Sequence, residues 1–111
     1  MTVEALERPL DEVPHLEVTF RRTGRLCVLT LRGDLQTGSV GVLEAQIDRL
    51  GRTPCHRVVV DLHEVDAIDA TGARVLIGLR HYVHGRGGTL TTLGARALVS
   101  GVLAAEEARS W

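Results

Sequence analysis

Residues 57–62, RVVVDL, set the first limit on the fold. An aliphatic run this continuous marks a strand buried on both faces, and hence a sheet covered by helices. Farther on, Val75, Leu76, Leu79 and Val83 recur at helical spacing and mark one face of a helix. A strand that hands over to a helix in this way belongs to an α/β architecture. Between the two lies VDAIDATG, residues 65–72. Leu62, Val65 and Ile68 recur every three residues there, which predicts a loop pinned against the core. Asp69 is a natural N-cap, because its carboxylate can accept from the unpaired amides of the first helical turn. Gly72 then starts the helix, and Thr71 sits in its first turn with the hydroxyl outward. By spacing alone, Thr71 is a tolerated helix-start residue.

The rest of the chain repeats the alternation. HLEVTFRR places Leu16, Val18 and Phe20 on one side of a half-buried strand, Arg22-Thr23-Gly24 turns, and RLCVLTLRG returns, predicting a hairpin. Val40, Leu43, Ile47 and Leu50 then share a helical face, with Ser39 as N-cap and Gly51 as stop. Gly41 weakens the first turn of that helix. HGRGG ends the helix after Thr71, TLTTL is a short strand, and Gly94 to Trp111 reads as a third helix interrupted by Gly101. The expected class is α/β, a mixed sheet of about four strands with an N-terminal β-hairpin and helices packed beside it. Residues 1–14 are charged, contain Pro9 and Pro14, and show no sustained period, so they read as a flexible N-terminal arm before a single domain, 15–111.

Composition narrows the function. A chain of 111 residues has room for one compact domain, and 44% hydrophobic residues can build its core from Val, Leu, Ile and Ala, since aromatics are 3%. All 13 basic residues are arginine, scattered with only Arg21 and Arg22 adjacent. That scatter, with so few stacking rings, argues against a nucleic-acid surface. Cys27 and Cys55 lack CxxC spacing and are expected as two reduced core thiols. MTVEALERPLDEVPH carries acids where a secretion signal needs a basic end and an apolar run, and no apolar stretch approaches ~20 residues. The expected compartment is the cytoplasm, with no membrane insertion.

Other signals stay structural. His81 and His84 share a helix face but lack a third metal ligand nearby. HGRGGT has neither GxGxxG nor a Walker lysine, in a chain without lysine. A nucleotide-binding site built from that turn and the Thr71 helix end is therefore disfavoured. No Ser/His/Asp or Cys/His set stands out. The expectation is a binding protein, neither an enzyme nor a cofactor carrier.

VVVDLHEVDAIDATGARVLIGL resembles the signature segment of the STAS domain family, the fold of bacterial anti-sigma-factor antagonists. Such segments run from an aliphatic strand through Asp-Leu and a short loop to Asp-Ser-Ser/Thr-Gly. Here these are Asp61-Leu62 and Asp69-Ala70-Thr71-Gly72. LTLRGDLQTGSV resembles the family's Gly-Glu-Leu-Asp segment, and Gly87-Gly88-Thr89 its Gly-Gly before the fourth strand. The resemblance implies that a partner kinase, itself the anti-sigma factor, phosphorylates Thr71, and that a serine/threonine phosphatase resets it. It implies a partner-binding face of Asp34, Gln36, Thr37 and Ser39 with Asp66, Asp69, Ala70, Thr71, Gly72 and Arg74. Two positions depart from the pattern: Ala70 replaces the first hydroxyl, and Gln36 stands where an Asp is usual. A phosphate on Thr71 would lie over a helix N-terminus, with Arg74 on the same face to steady it and Asp66 and Asp69 to oppose it. The alternative within the family is a STAS module that never switches and serves as an assembly or transport-regulating subunit.

Overall fold

Side chains alternate along a strand, so burial shows which face of the sheet is covered. In the computed structural model, which describes residues 15–109, Leu16, Cys27, Leu29, Leu31, Val58, Val60 and Leu90 are buried. Their neighbours Glu17, Val28, Thr30, Val59 and Thr91 are half-buried or exposed. The strands are β1 (Leu16–Thr23), β2 (Leu26–Leu35), β3 (Arg57–Ile68) and β4 (Thr89–Leu93), in the spatial order β1-β2-β3-β4. β1 and β2 form the expected antiparallel hairpin, and β2, β3 and β4 run parallel. The helices are α1 (Val40–Gly51), α2 (Ala70–Gly85) and α3 (Ala97–Arg109). α2 packs between α1 and α3, and all the buried strand positions face one way, so the helices form a single layer. This corrects the reading of RVVVDL as buried on both faces. Val59 lies on the open face and is only half-buried.

The expected loop after Leu62 is also corrected, because β3 continues to Ile68. Thr30 pairs with Asp61 and Arg32 with Glu64, so three steps on β3 match two on β2. A second shift follows, with Gly33 opposite Val65 and Asp34 opposite Ala67. Each shift adds one residue to β3, as a β-bulge does. A strand with a bulge between successive core positions spaces them by three instead of two. Leu62 and Val65 are both fully buried for this reason.

Helix packing follows the sequence pattern closely. α1 buries Leu43 and Leu50, and α2 buries Ala73, Leu76, Ile77, Leu79 and Val83, with Val75 half-buried at the margin. Each fully buried leucine contributes about 1.5–3 kcal/mol over its exposed state. Gly101 does not interrupt α3; it faces solvent inside a continuous helix, where it costs only about 1 kcal/mol relative to alanine. The arm proposed for residues 1–14 and the helix end proposed near Trp111 lie outside the described residues.

The thiol expectation is overturned. Cys27 and Cys55 are joined in a disulfide, with their Cα atoms 5.7 Å apart. Parallel pairing of β2 with β3 sets Cys27 beside Val58, and Cys55 lies just ahead of that point. Tertiary register brings the pair together, so local CxxC spacing was the wrong criterion.

Candidate functional site

Parallel strands send their C-terminal ends to one edge of a sheet, where α/β proteins assemble their sites. Here that edge receives Leu35 of β2 and Ile68 of β3, which pair, while β4 stops earlier, with Leu93 opposite Asp61. The 36–39 connection and the start of α2 meet there. Asp69 joins them. Its Oδ1 accepts from the Gly72 amide at 2.8 Å, and its Oδ2 accepts from the Thr37 amide and hydroxyl, each at 2.9 Å. Burial by itself would raise the Asp69 carboxyl. The Gly72 amide, then the Thr37 amide and hydroxyl, outweigh it and hold the group below its ordinary value. Asp69 is the helix N-cap, as the sequence indicated, and it is also a clamp on the preceding loop.

That loop is closed from within. Ser39 occupies the N-cap position of α1 but makes no capping bond from its side chain. Its hydroxyl donates to the Asp34 carbonyl at 2.6 Å and accepts from the Gln36 amide at 3.0 Å. The Gln36 carbonyl accepts from the amides of Ser39 and Val40, at 2.8 and 2.9 Å. Ser39 is thus buried, while Thr37 stays exposed. Gly72 is buried too. A β-carbon there would collide with the Leu35 carbonyl and lie 2.8 Å from Leu35 Cγ. The glycine lets α2 start tight against the end of β2.

Thr71 lies half-buried in the first turn of α2, between the exposed Arg74 and the half-buried Ala70. Its hydroxyl makes no hydrogen bond to another described residue, and the amides of Ala70 and Thr71 are likewise unclaimed there. The Gly72 and Ala73 amides are taken by Asp69, through its carboxylate and its carbonyl. Arg74 does not wait beside Thr71. Its Nε donates to Glu106 of α3 at 3.2 Å. The cation expected to steady a phosphate is therefore held by a nearly buried carboxylate. Asp66 projects from β3 and pairs with Arg96 at 2.9 Å. The structure thus brings Asp34, Gln36, Thr37, Ser39, Asp69 and Gly72 into one bonded unit, sets Ala70 and Thr71 on its rim, and turns Asp66 and Arg74 to other partners. Thr37 as the second anchor of Asp69, and Arg96 as the partner of Asp66, could not be found locally, since 32 and 30 residues separate these pairs.

Arg74 borders a depression of about 430 Å³ with His81 and Glu106, and Asp66 another of about 320 Å³ with Arg32, Glu64 and Arg96; Thr71 lines neither. The depression between α2, β4 and α3, about 210 Å³ and lined by Leu76, Ile77, Leu90 and Leu103 among others, lies away from Thr71. HGRGG and Thr71 stand at opposite ends of α2, which at 16 residues is roughly 24 Å long. They cannot form one nucleotide site. No group of three or more metal-binding side chains occurs among the described residues, and none of their helices is long and apolar enough to cross a membrane.

A four-stranded mixed sheet with one helical layer and a hydrogen-bonded edge define a small α/β domain. The chain belongs to the STAS domain family: a family model described as Mlab, STAS domain, matches residues 18–107. No curated protein matches it. Among solved structures it is similar to the anti-sigma factor antagonist SpoIIAA of Bacillus in its unphosphorylated form, at 16% identity and a TM-score of 0.68, over 86% of this chain and 84% of that one. It is similar to Mglu at 24% identity and a TM-score of 0.64, over 72% of this chain, and it spans only 20% of the Mglu chain. It is also similar to SLC26A9, at 12% identity and a TM-score of 0.60, over 94% of this chain and 22% of that one. At these identities the likeness is one of fold.

Proposed function

We propose that this STAS domain is a phosphorylation-switched anti-sigma-factor antagonist. Unphosphorylated, it binds an anti-sigma factor that is also a protein kinase and so releases a sigma factor. Phosphorylation of Thr71 blocks that contact, and a serine/threonine phosphatase reverses it. The proposed binding face is the Asp34–Ser39 segment with Asp66, Asp69 and the first turn of α2. The carrying observation is Thr71 itself, whose unbonded hydroxyl stands beside two unclaimed amides at a helix N-terminus. An anion is stabilised there by those amides and by the helix dipole. SpoIIAA, which shares the fold, is known in phosphorylated and unphosphorylated forms.

Phosphorylation adds about −1.5 to −2 charges to the centre of the proposed face. A like charge across an interface ~4 Å away costs about 4 kcal/mol at an effective dielectric of ~20. A loss of ~2–5 kcal/mol corresponds to roughly 30-fold to several thousand-fold in affinity. Incubation with the kinase and ATP, read by mass spectrometry, tests the acceptor. Thr71→Ala should bind but take no phosphate, and Thr71→Glu should bind weakly while melting near the wild type. Phosphate on Thr71→Ala, or tight binding by Thr71→Glu, would end the proposal.

Two observations favour a second reading, a non-switching STAS module within a larger assembly. The Arg74–Glu106 bond leaves no free side-chain cation in the first turn of α2. The matching family model is described as Mlab, and the likeness to SLC26A9 covers 22% of that longer chain. Stable association without phosphate transfer, unchanged in Thr71→Glu, is its expected signature.

A further inference from the structure

Arginines that are scattered along the sequence are gathered by the topology at one end of the molecule. β2, β3 and β4 all begin at the edge opposite Thr71, with Leu26, Arg57 and Thr89 in one cross-strand row. The β1–β2 turn reaches the same edge, where the Arg25 carbonyl accepts from the His56 and Arg57 amides at 2.8 and 3.1 Å. α1 and α2 end there as well, with Arg86 Nη1 3.5 Å from the Gly51 carbonyl. Three segments make up this end: 21–26, 49–57 and 84–89. Together they hold seven of the chain's 13 arginines, two of its five histidines and no Asp or Glu. The nearest acid in sequence is Asp48 of α1. All seven arginines are exposed, and none meets a carboxylate among the described residues. The Arg32–Glu64, Arg74–Glu106, Arg80–Glu107 and Arg96–Asp66 pairs all lie elsewhere.

Helix ends explain part of the cluster. Arg49, Arg52 and Arg86 lie in or just past the last turns of α1 and α2, where free carbonyls favour cations. Arg49 also covers the Phe20 ring at 4.7 Å, and Arg22 Nε donates to the Gly24 carbonyl at 3.0 Å. None of this accounts for Arg21, Arg25 or Arg57. Among the described residues no acid pairs with these charges, and like charges so gathered repel one another and disfavour the compact state. Their natural complement is an anion outside the described residues.

We propose that this end docks peripherally on an anionic phospholipid surface. Three separate turns present the arginines, with no protruding element to enter a nucleic-acid groove. Both helices offer their C-termini, the wrong end of the dipole for phosphate, so the side chains must make the contact. Arginine's forked, permanently charged group suits phosphate headgroups. No Leu, Val, Ile, Phe or Trp of the three segments is exposed, so adhesion is electrostatic and nothing inserts. At the opposite edge, among the described residues, Asp34 and Asp69 face no side-chain cation, and Glu64 and Asp66 are ion-paired to Arg32 and Arg96, so no excess of positive charge gathers there. Charge polarity therefore orients the molecule with the Thr71 edge away from the lipid.

The test is sedimentation of the full chain with vesicles of phosphatidylglycerol and phosphatidylcholine, against phosphatidylcholine alone. The protein should partition onto the anionic vesicles at low ionic strength and leave them as salt rises. The triple variant Arg22→Glu, Arg25→Glu, Arg57→Glu should lose at least about 100-fold in partitioning. An equal charge change elsewhere, Arg32→Glu, Arg96→Glu, Arg109→Glu, should lose far less. If the first triple variant fails a melting control, the corresponding glutamine variant replaces it, with a smaller loss expected in the same direction. Equal binding to neutral vesicles, no binding to anionic ones, or an unaffected triple variant each overturns the proposal. So does binding to duplex DNA without binding to vesicles, which would assign the surface to nucleic acid. None of these outcomes depends on phosphate at Thr71.

Discussion

Asp69 shows how much one carboxylate can organise. Three donors from two segments converge on it, and all favour its ionised form. Because its native value lies below the ordinary 3.8, the unfolded chain binds the proton more readily than the folded one. The stabilisation is therefore complete above the unfolded value and is lost as pH falls through the lowered native value. Asp61, held down first by the His63 amide and then by the His63 ring, contributes with the same sign. Asp69→Ala should cost about 1–2 kcal/mol near neutral pH, as loss of an N-cap does. Denaturant melts should show the gap to the wild type narrowing as pH drops below 3.8. A gap independent of pH would mean that the charge of Asp69 is immaterial. The cap was legible in the sequence because it spans three residues. The grip on Thr37 was not, because only the parallel pairing of β2 with β3 brings the two together.

At the scale of elements, the junction from β3 to α2 is where local pattern and tertiary structure part. The strand, the helix and the glycine between them are all visible in RVVVDLHEVDAIDATG. The three-residue spacing of Leu62, Val65 and Ile68 is a mark of bulges, yet it reads as a loop unless the partner strand is known. Gly72 is similarly ambiguous until Leu35 is seen against it. Gly72→Ala should destabilise by about 1–3 kcal/mol through overpacking, although alanine is the better helix former. An unchanged or raised denaturation midpoint would show that the junction can relax. The same helix offers a cleaner measure: Leu76→Ala should cost about 2–5 kcal/mol, whereas Val75→Ala, at the half-buried margin, should cost less. The reverse order would mean that the buried face has been misassigned.

Across the whole molecule, the parallel sheet separates two ends of unlike chemistry. The C-terminal edge carries the acid-rich, hydrogen-bonded Thr71 site, and the N-terminal edge carries the arginines and the disulfide. Neither gathering is visible in linear spacing, since each needs the direction of three strands. The disulfide gives the most direct test of that arrangement. Cys27 and Cys55 are 28 residues apart, and the loop they close contains all of α1. Closing a loop of that length removes about 3–4 kcal/mol of entropy from the unfolded chain. The core around it is held by more than the bond: Leu29, Leu43, Val58 and Val60 are buried within strand pairing and helix packing. Reduction should therefore loosen the domain without unfolding it. In a domain of about this size 1 kcal/mol moves the melting temperature by about 4–8 °C, so reductant should lower it by more than ~10 °C. The double variant Cys27→Ala, Cys55→Ala should melt near the reduced wild type and ignore reductant. A wild-type melting temperature that ignores it too would mean that the two thiols are not joined in solution.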